Sequence, residues 1–233
     1  MTIDYEPITP PGRLDALQEL RLPVDMLRWA PSLLAMKARR AAHPRTVILL
    51  PGFGAGPRSM RVMEPFLRRR GHRVRDWGLG VNNGDARKFR VQLESIVGQS
   101  IATYGEPVVL VGWSLGGYIA REYAREHPEG VRRIVTLGSP VIGGPRYTAT
   151  SEWYRSRGHD LAEMERAVKS RYATPLRVPV TAIYSKRDGI VAWQACIDKW
   201  SPDVHHIEVS ETHVGLGFSP RVLGLVADEI ARD

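Results

Sequence analysis

EPVVLVGWSLGGYIAREYAREHP, residues 106–128, changes character within a few positions. Val108 to Val111 is a continuous aliphatic run, the composition of a strand buried on both faces. From 115 to 127 the pattern is that of an amphipathic helix. Between the two stands Ser114, with Gly112 two residues before it and Gly116 two residues after. A buried strand needs no serine at its exit, and a helix start needs only one capping residue. A sharp strand-to-helix turn explains both the serine and the glycines. Small neighbours let strand and helix approach closely, and the turn holds the serine beyond the carboxyl end of a strand, where open parallel sheets bind ligands.

Working outward, β-rich runs at 46–50, 72–79, 107–113, 132–138, 178–185 and 205–210 alternate with helix-like segments at 58–70, 86–103, 115–127, 192–200 and 219–231. Strand, helix, strand in repetition implies right-handed crossovers and a mostly parallel sheet of about six strands, covered on both faces. One block breaks the rhythm. Residues 140–177 read as a small lid-like insertion after a strand, with a helix near 159–171 and Gly143-Gly144-Pro145 as a turn or hinge. Before the first strand, 12–42 is amphipathic and basic, clearest in LPVDMLRWAPSLLAMKARR (22–40). Pro23 and Pro31 predict two short helices there rather than one. Such a segment is expected to seat its apolar face on the domain, and is also compatible with weak membrane-surface contact. The expectation is a single domain over 1–233, with 1–45 as a helical extension.

Composition bounds the function. The chain has 233 residues, is 43% hydrophobic and 25% charged, and carries a formal net charge of +8, enough core for one α/β domain. The basic residues are dispersed, so the charge reads as solubility, and no nucleic-acid partner is expected. A single cysteine, Cys196, rules out an internal disulfide and fits a reducing, cytoplasmic setting. MTIDYEPITPPGRLD at the start lacks a secretory pattern, and no stretch approaches the ~20 apolar residues of a membrane span. There is no HExxH, no Cys/His cluster and no calcium-loop spacing, so no metal or cofactor is expected.

In its strand–turn–helix context, G-W-S-L-G resembles the nucleophile elbow of the α/β-hydrolase superfamily, particularly its compact lipases and esterases. The resemblance covers roughly 46–231 and implies a three-layer fold with a Ser-His-Asp triad read in the order Ser, acid, His. It assigns Ser114 as nucleophile. The acid falls in the loop after the strand that follows the insertion, where AIYSKRDGIVAW (182–193) places Asp188; Asp198 and Asp203, on or after the next helix, are the alternatives. HIEVSETHVGLGFSP (206–220) supplies His213 past the last strand, whereas His205 and His206 sit at that strand's start and the other four histidines precede Asp188. A histidine in this role is expected to titrate near its reference value of ~6.5.

The resemblance also implies an oxyanion hole from the backbone N–H of Leu115 and, in LLPGFGAGPRSM (49–60), that of Phe53. Pro51 stands where a histidine usually precedes the glycine, which leaves the geometry of that loop open. The loop matches neither the Gly-Lys-Ser/Thr nor the G-x-G-x-x-G pattern of nucleotide sites. Phe53, Trp113, Leu115, Trp153, Tyr154 and Val191 are among the apolar residues that flank the site and suit a small ester with a hydrophobic acyl group. The expected activity is carboxylic ester hydrolysis through an acyl-enzyme. Acyl transfer on the same triad and a catalytically silent binding module are the alternatives, since the fold hosts many chemistries.

Overall fold

A computed structural model describes residues 7–35 and 40–232. Six strands, β1 (Thr46–Leu50), β2 (Arg73–Asp76), β3 (Val108–Trp113), β4 (Val131–Leu137), β5 (Val180–Ser185) and β6 (Val204–Val209), form one sheet in the order β2-β1-β3-β4-β5-β6. Every pairing is parallel. β1 and β3 are buried along their whole length, as their unbroken apolar runs require.

Alternate side chains feed two cores. Val47, Leu49, Val109 and Val111 join Met63 and Phe66 of α3 (Met63–Arg69) and Val222 and Val226 of α8 (Pro220–Ala231). Ile48, Leu50, Val108 and Leu110 point the other way, onto Phe89 and Leu93 of α4 (Ala86–Tyr104) and Ile119 and Tyr123 of α5 (Leu115–Glu126). The chain leaves β1 toward β2 on one side and returns through β3 on the other. The strand order therefore reverses between β1 and β3, and the crevice beyond their carboxyl ends is the place where this topology binds ligands.

Three local expectations change. The break in the N-terminal segment falls at a 3₁₀ turn, Leu17–Arg21, between the short α1 (Arg13–Ala16) and α2 (Leu22–Ala35). Pro23 sits in the first turn of α2, where a missing N–H costs nothing, and α2 runs through Pro31 without a break. The segment's continuation over 36–39 lies outside the described residues. Only part of its apolar face seats on the domain: Leu14, Leu20 and Leu27 are 80%, 73% and 77% exposed, and contact is made by Glu19, Trp29 and Leu33.

The helix expected over 192–200 shrinks to a 3₁₀ turn, Trp193–Cys196, because Asp198 Oδ1 draws the N–H groups of Trp200 and Ser201 into a competing turn. The insertion holds two helices, α6 (Ser151–Ser156) and α7 (Leu161–Arg171), and its Val141, Ile142, Tyr147, Val168 and Tyr172 form a small separate core with Val191, Ala192, Ala195 and Cys196 from beyond β5.

Candidate active site

Ser114 has φ 54° and ψ −123°, and among the described residues no other non-glycine has a positive φ. The turn is fixed from both sides, since the Ser114 N–H donates to Leu137 and its carbonyl accepts from Gly117. Its hydroxyl does not cap α5, which removes the capping explanation for the serine. The flanking glycines are there for packing. A Cβ on Gly116 would come within 2.3 Å of the Leu50 carbonyl oxygen, and one on Gly112 within 2.4 Å of Gly117, so β1, β3 and α5 meet backbone to backbone.

Asp188 lies after β5 and His213 after β6, both at the carboxyl edge of the sheet. His213 Nδ1 is 2.6 Å from Asp188 Oδ2, and the two side chains are almost fully buried. A carboxylate can only accept, so the proton sits on Nδ1 and Nε2 is left as the basic nitrogen. The other Asp188 oxygen accepts the N–H groups of Ile190 and Val191, which locks the carboxylate's orientation. Burial disfavours a charged His213, but the Asp188 charge and hydrogen bond, with Glu19 adding to them, outweigh it. The His213 pKa is therefore raised, not left at the reference value.

The alternative acids are occupied elsewhere. Asp198 is ion-paired with the buried Arg121, and that charge overcomes burial to hold its pKa at about 2. Asp203 precedes β6, and its carbonyl accepts from Val180 at the opposite end of the strands. The structure brings Asp188 and His213 together; the Ser114 hydroxyl is not hydrogen-bonded to either of them.

Phe53 and Leu115 border Ser114 at the ends of β1 and β3, and among the described residues neither N–H has a hydrogen-bond acceptor within the protein. The loop that carries Phe53 is organised by Asn82, which is fully buried. Its side chain donates to the Pro51 carbonyl, and its backbone pairs with Gly54 and Ala55. Asn82 thus fixes the loop that Pro51 left open in the sequence.

Ser114, Leu115 and Phe53 line a cavity of about 670 Å³. Trp153, Tyr154 and Val191 join them as expected, together with Ile190, while Trp113 does not reach it. Trp113 instead donates its indole N–H to the His213 carbonyl and so supports the histidine from below. The insertion roofs the cavity. Trp153 packs edge-on against Phe53, and Arg171 pairs with Glu122 and Glu126 of α5 at 2.5 and 2.9 Å. Arg87, Arg90 and Arg171, with Asp85 and Glu122, give the lining a charged share that sequence reading missed, because no spacing ties α4 to α7; Arg90 and Arg171 are ion-paired with Glu126 and Glu122. Gly138 was missed as well. It follows β4 directly at φ 53°, and a Cβ there would lie 2.8 Å from Asp188 Oδ2 and 3.0 Å from His213 Nδ1.

Residues 47–223 match the α/β-hydrolase family, well over half of the chain. The chain belongs to that family. Over 108 residues it is 33% identical to a pimeloyl-[acyl-carrier protein] methyl ester esterase of Aromatoleum aromaticum, covering 46% of this chain and 42% of that protein. A protein of the same name from Aeromonas hydrophila is 30% identical over 122 residues, 52% and 46% of the two chains. These matches span under half the length of the relatives. Among solved structures, Bacillus licheniformis lipase BlEst2 superposes with a TM-score of 0.63 at 12% identity, covering 84% of this chain and 97% of that one. An aryl esterase from Burkholderia cenocepacia, described as putative, gives 0.58 at 18% identity, covering 81% and 90%. At these identities the likeness is one of fold. Among the described residues no helix is long and apolar enough to cross a membrane.

Proposed function

We propose that this chain is a serine esterase that hydrolyses carboxylic esters with a largely apolar acyl group. The observation that carries the reading is the strained Ser114 turn on the cavity wall, at the same sheet edge as a buried Asp188–His213 pair. Ser114 Oγ attacks the ester carbonyl as His213 Nε2 takes its proton, and the new imidazolium is held by Asp188. The N–H groups of Leu115 and Phe53 receive the oxyanion. Collapse of the tetrahedral intermediate breaks the ester C–O bond, and His213 returns the proton to the departing alcohol. Water then repeats the sequence on the acyl-enzyme, releasing the acid and restoring Ser114.

The relatives' name supports a small ester alcohol, and the roofed cavity supports an acyl chain lying beneath α6 and α7. A chain-length series of nitrophenyl esters, with fluorophosphonate labelling of the wild type and Ser114→Ala, tests this. Hydrolysis and labelling should both vanish in Ser114→Ala. A variant that keeps more than a few per cent of turnover would remove Ser114 from the mechanism.

A further inference from the structure

The two loops that carry Asp188 and His213 share an acceptor from outside the sheet. Glu19, in the 3₁₀ turn between α1 and α2, takes three backbone N–H groups on its carboxylate. Its Oε1 accepts from Gly189 at 3.0 Å and from His213 at 2.9 Å, and its Oε2 accepts from Val214 at 2.8 Å. Gly189 follows the acid and His213 is the base, so one oxygen atom bridges the two loops at the residues that matter.

Those N–H groups need an acceptor, because Gly189 and His213 are buried. Asp188 has already committed one oxygen to Ile190 and Val191 and the other to His213. The surrounding contacts are equally close. A Cβ on Gly189 would sit 2.2 Å from the Asp15 carbonyl oxygen, and one on Gly215 would meet the Trp29 ring at 3.1 Å. The N-terminal segment therefore lies directly on both loops, and a charge-assisted bridge fixes their separation.

We infer that Glu19 is a positioning residue for the reaction: by bridging the Gly189 and His213 backbones it sets the Asp188–His213 geometry, so that the N-terminal segment completes the site. This rests on the esterase reading above. A shift of a fraction of an ångström in either loop alters the hydrogen bond that selects the His213 tautomer, and misplacement of about 1 Å can cost ~10²-fold in rate.

The two substitutions to compare are Glu19→Ala and Glu19→Gln in the full chain. Glutamine keeps an oxygen that can accept from both Gly189 and His213, and it loses the charge and the Val214 acceptor; alanine loses all three bonds. The expected result is a kcat ~10–100-fold lower in Glu19→Ala, with KM for a short nitrophenyl ester within about threefold of wild type. Glu19→Gln should fall between the two. The acid limb of the pH profile should move downward in both, because the Glu19 charge helps to raise the His213 pKa. NMR of the His213 ring should show the Nδ1 proton weakened or in faster exchange in folded Glu19→Ala.

A folded variant with wild-type kcat and an unmoved His213 titration overturns the proposal. So does a Glu19→Ala loss that appears only as loss of folded protein while Glu19→Gln is wild-type in both readouts. If the wild type hydrolyses no ester, the esterase reading fails, and the ring signal in the two variants still decides whether Glu19 positions His213.

Discussion

Replacing Ser114 by glycine should abolish activity and make the protein more stable than replacing it by alanine. The reason is the backbone. At φ 54° and ψ −123° the residue lies outside the regions open to a side-chain-bearing residue, yet β3, β4 and α5 hold it there through Ser114 N–H to Leu137 and Gly117 N–H to Ser114. Such a conformation costs ~1–3 kcal/mol, and alanine inherits it in full while glycine does not. Against that gain, glycine loses ~0.5–1 kcal/mol more conformational entropy on folding than alanine. The net advantage of Ser114→Gly over Ser114→Ala is therefore ~0–2.5 kcal/mol, with a centre of ~1 kcal/mol, or up to ~10 °C in Tm for a chain of this size. Neither variant adds an atom to the site, so packing contributes little to the difference. Urea unfolding of the two variants, read by the midpoint at constant slope, measures it directly. If Ser114→Gly is less stable than Ser114→Ala, the turn is not strained in solution, and the argument that function holds this serine in an unfavourable conformation is refuted.

The elbow was legible because every signal for it is local: an apolar run, a serine, three glycines and a helix within one stretch. Asp188 and His213 were reachable because chain order and strand ends narrow the choice, once a family resemblance supplies that order. The rest depends on contacts that no window of sequence contains. Glu19 reads as one more charge on an amphipathic segment, and its partners lie 170 to 195 residues away. Gly138 reads as the last residue of a strand-like run, yet the space above its Cα is filled by side chains from two later loops. Asn82, within an Asn-Asn-Gly run, likewise reads as a turn although its side chain is committed to Pro51. The N-terminal leucines misled for a related reason. Their periodicity shows that a helix has an apolar face, but Glu19 and Trp29 decide which face meets the domain.

Asp188→Asn should keep its bonds to Ile190 and Val191 but present an amide N–H₂ to His213 Nδ1, forcing the wrong tautomer. Turnover should fall by up to ~10⁴-fold, a magnitude taken from the serine-protease case. Asp198→Asn should do the reverse: turnover per folded molecule within about twofold of wild type, but stability lower by ~3–5 kcal/mol, because Arg121 is left buried without its partner. Active-site titration beside urea melts separates the two, and a catalytic loss in Asp198→Asn with unchanged stability would move the acid. The pH dependence follows from the raised His213 pKa. Proton abstraction from Ser114 needs the neutral ring, so kcat/KM for a neutral ester should rise with pH through a midpoint above the reference ~6.5. Stability runs the other way. A pKa raised in the folded state means that folding favours the imidazolium, so the contribution of the His213–Asp188 pair is fully present below ~6.5 and is lost as pH rises through the folded value. Between those two pH values the enzyme gains activity while this pair contributes less to the fold. The difference in urea midpoint between wild type and His213→Gln, followed across that window, isolates the pair from other titrating groups and should shrink as pH rises. A rate midpoint at or below 6.5, or a stability difference that grows with pH, would mean that burial rather than Asp188 governs His213.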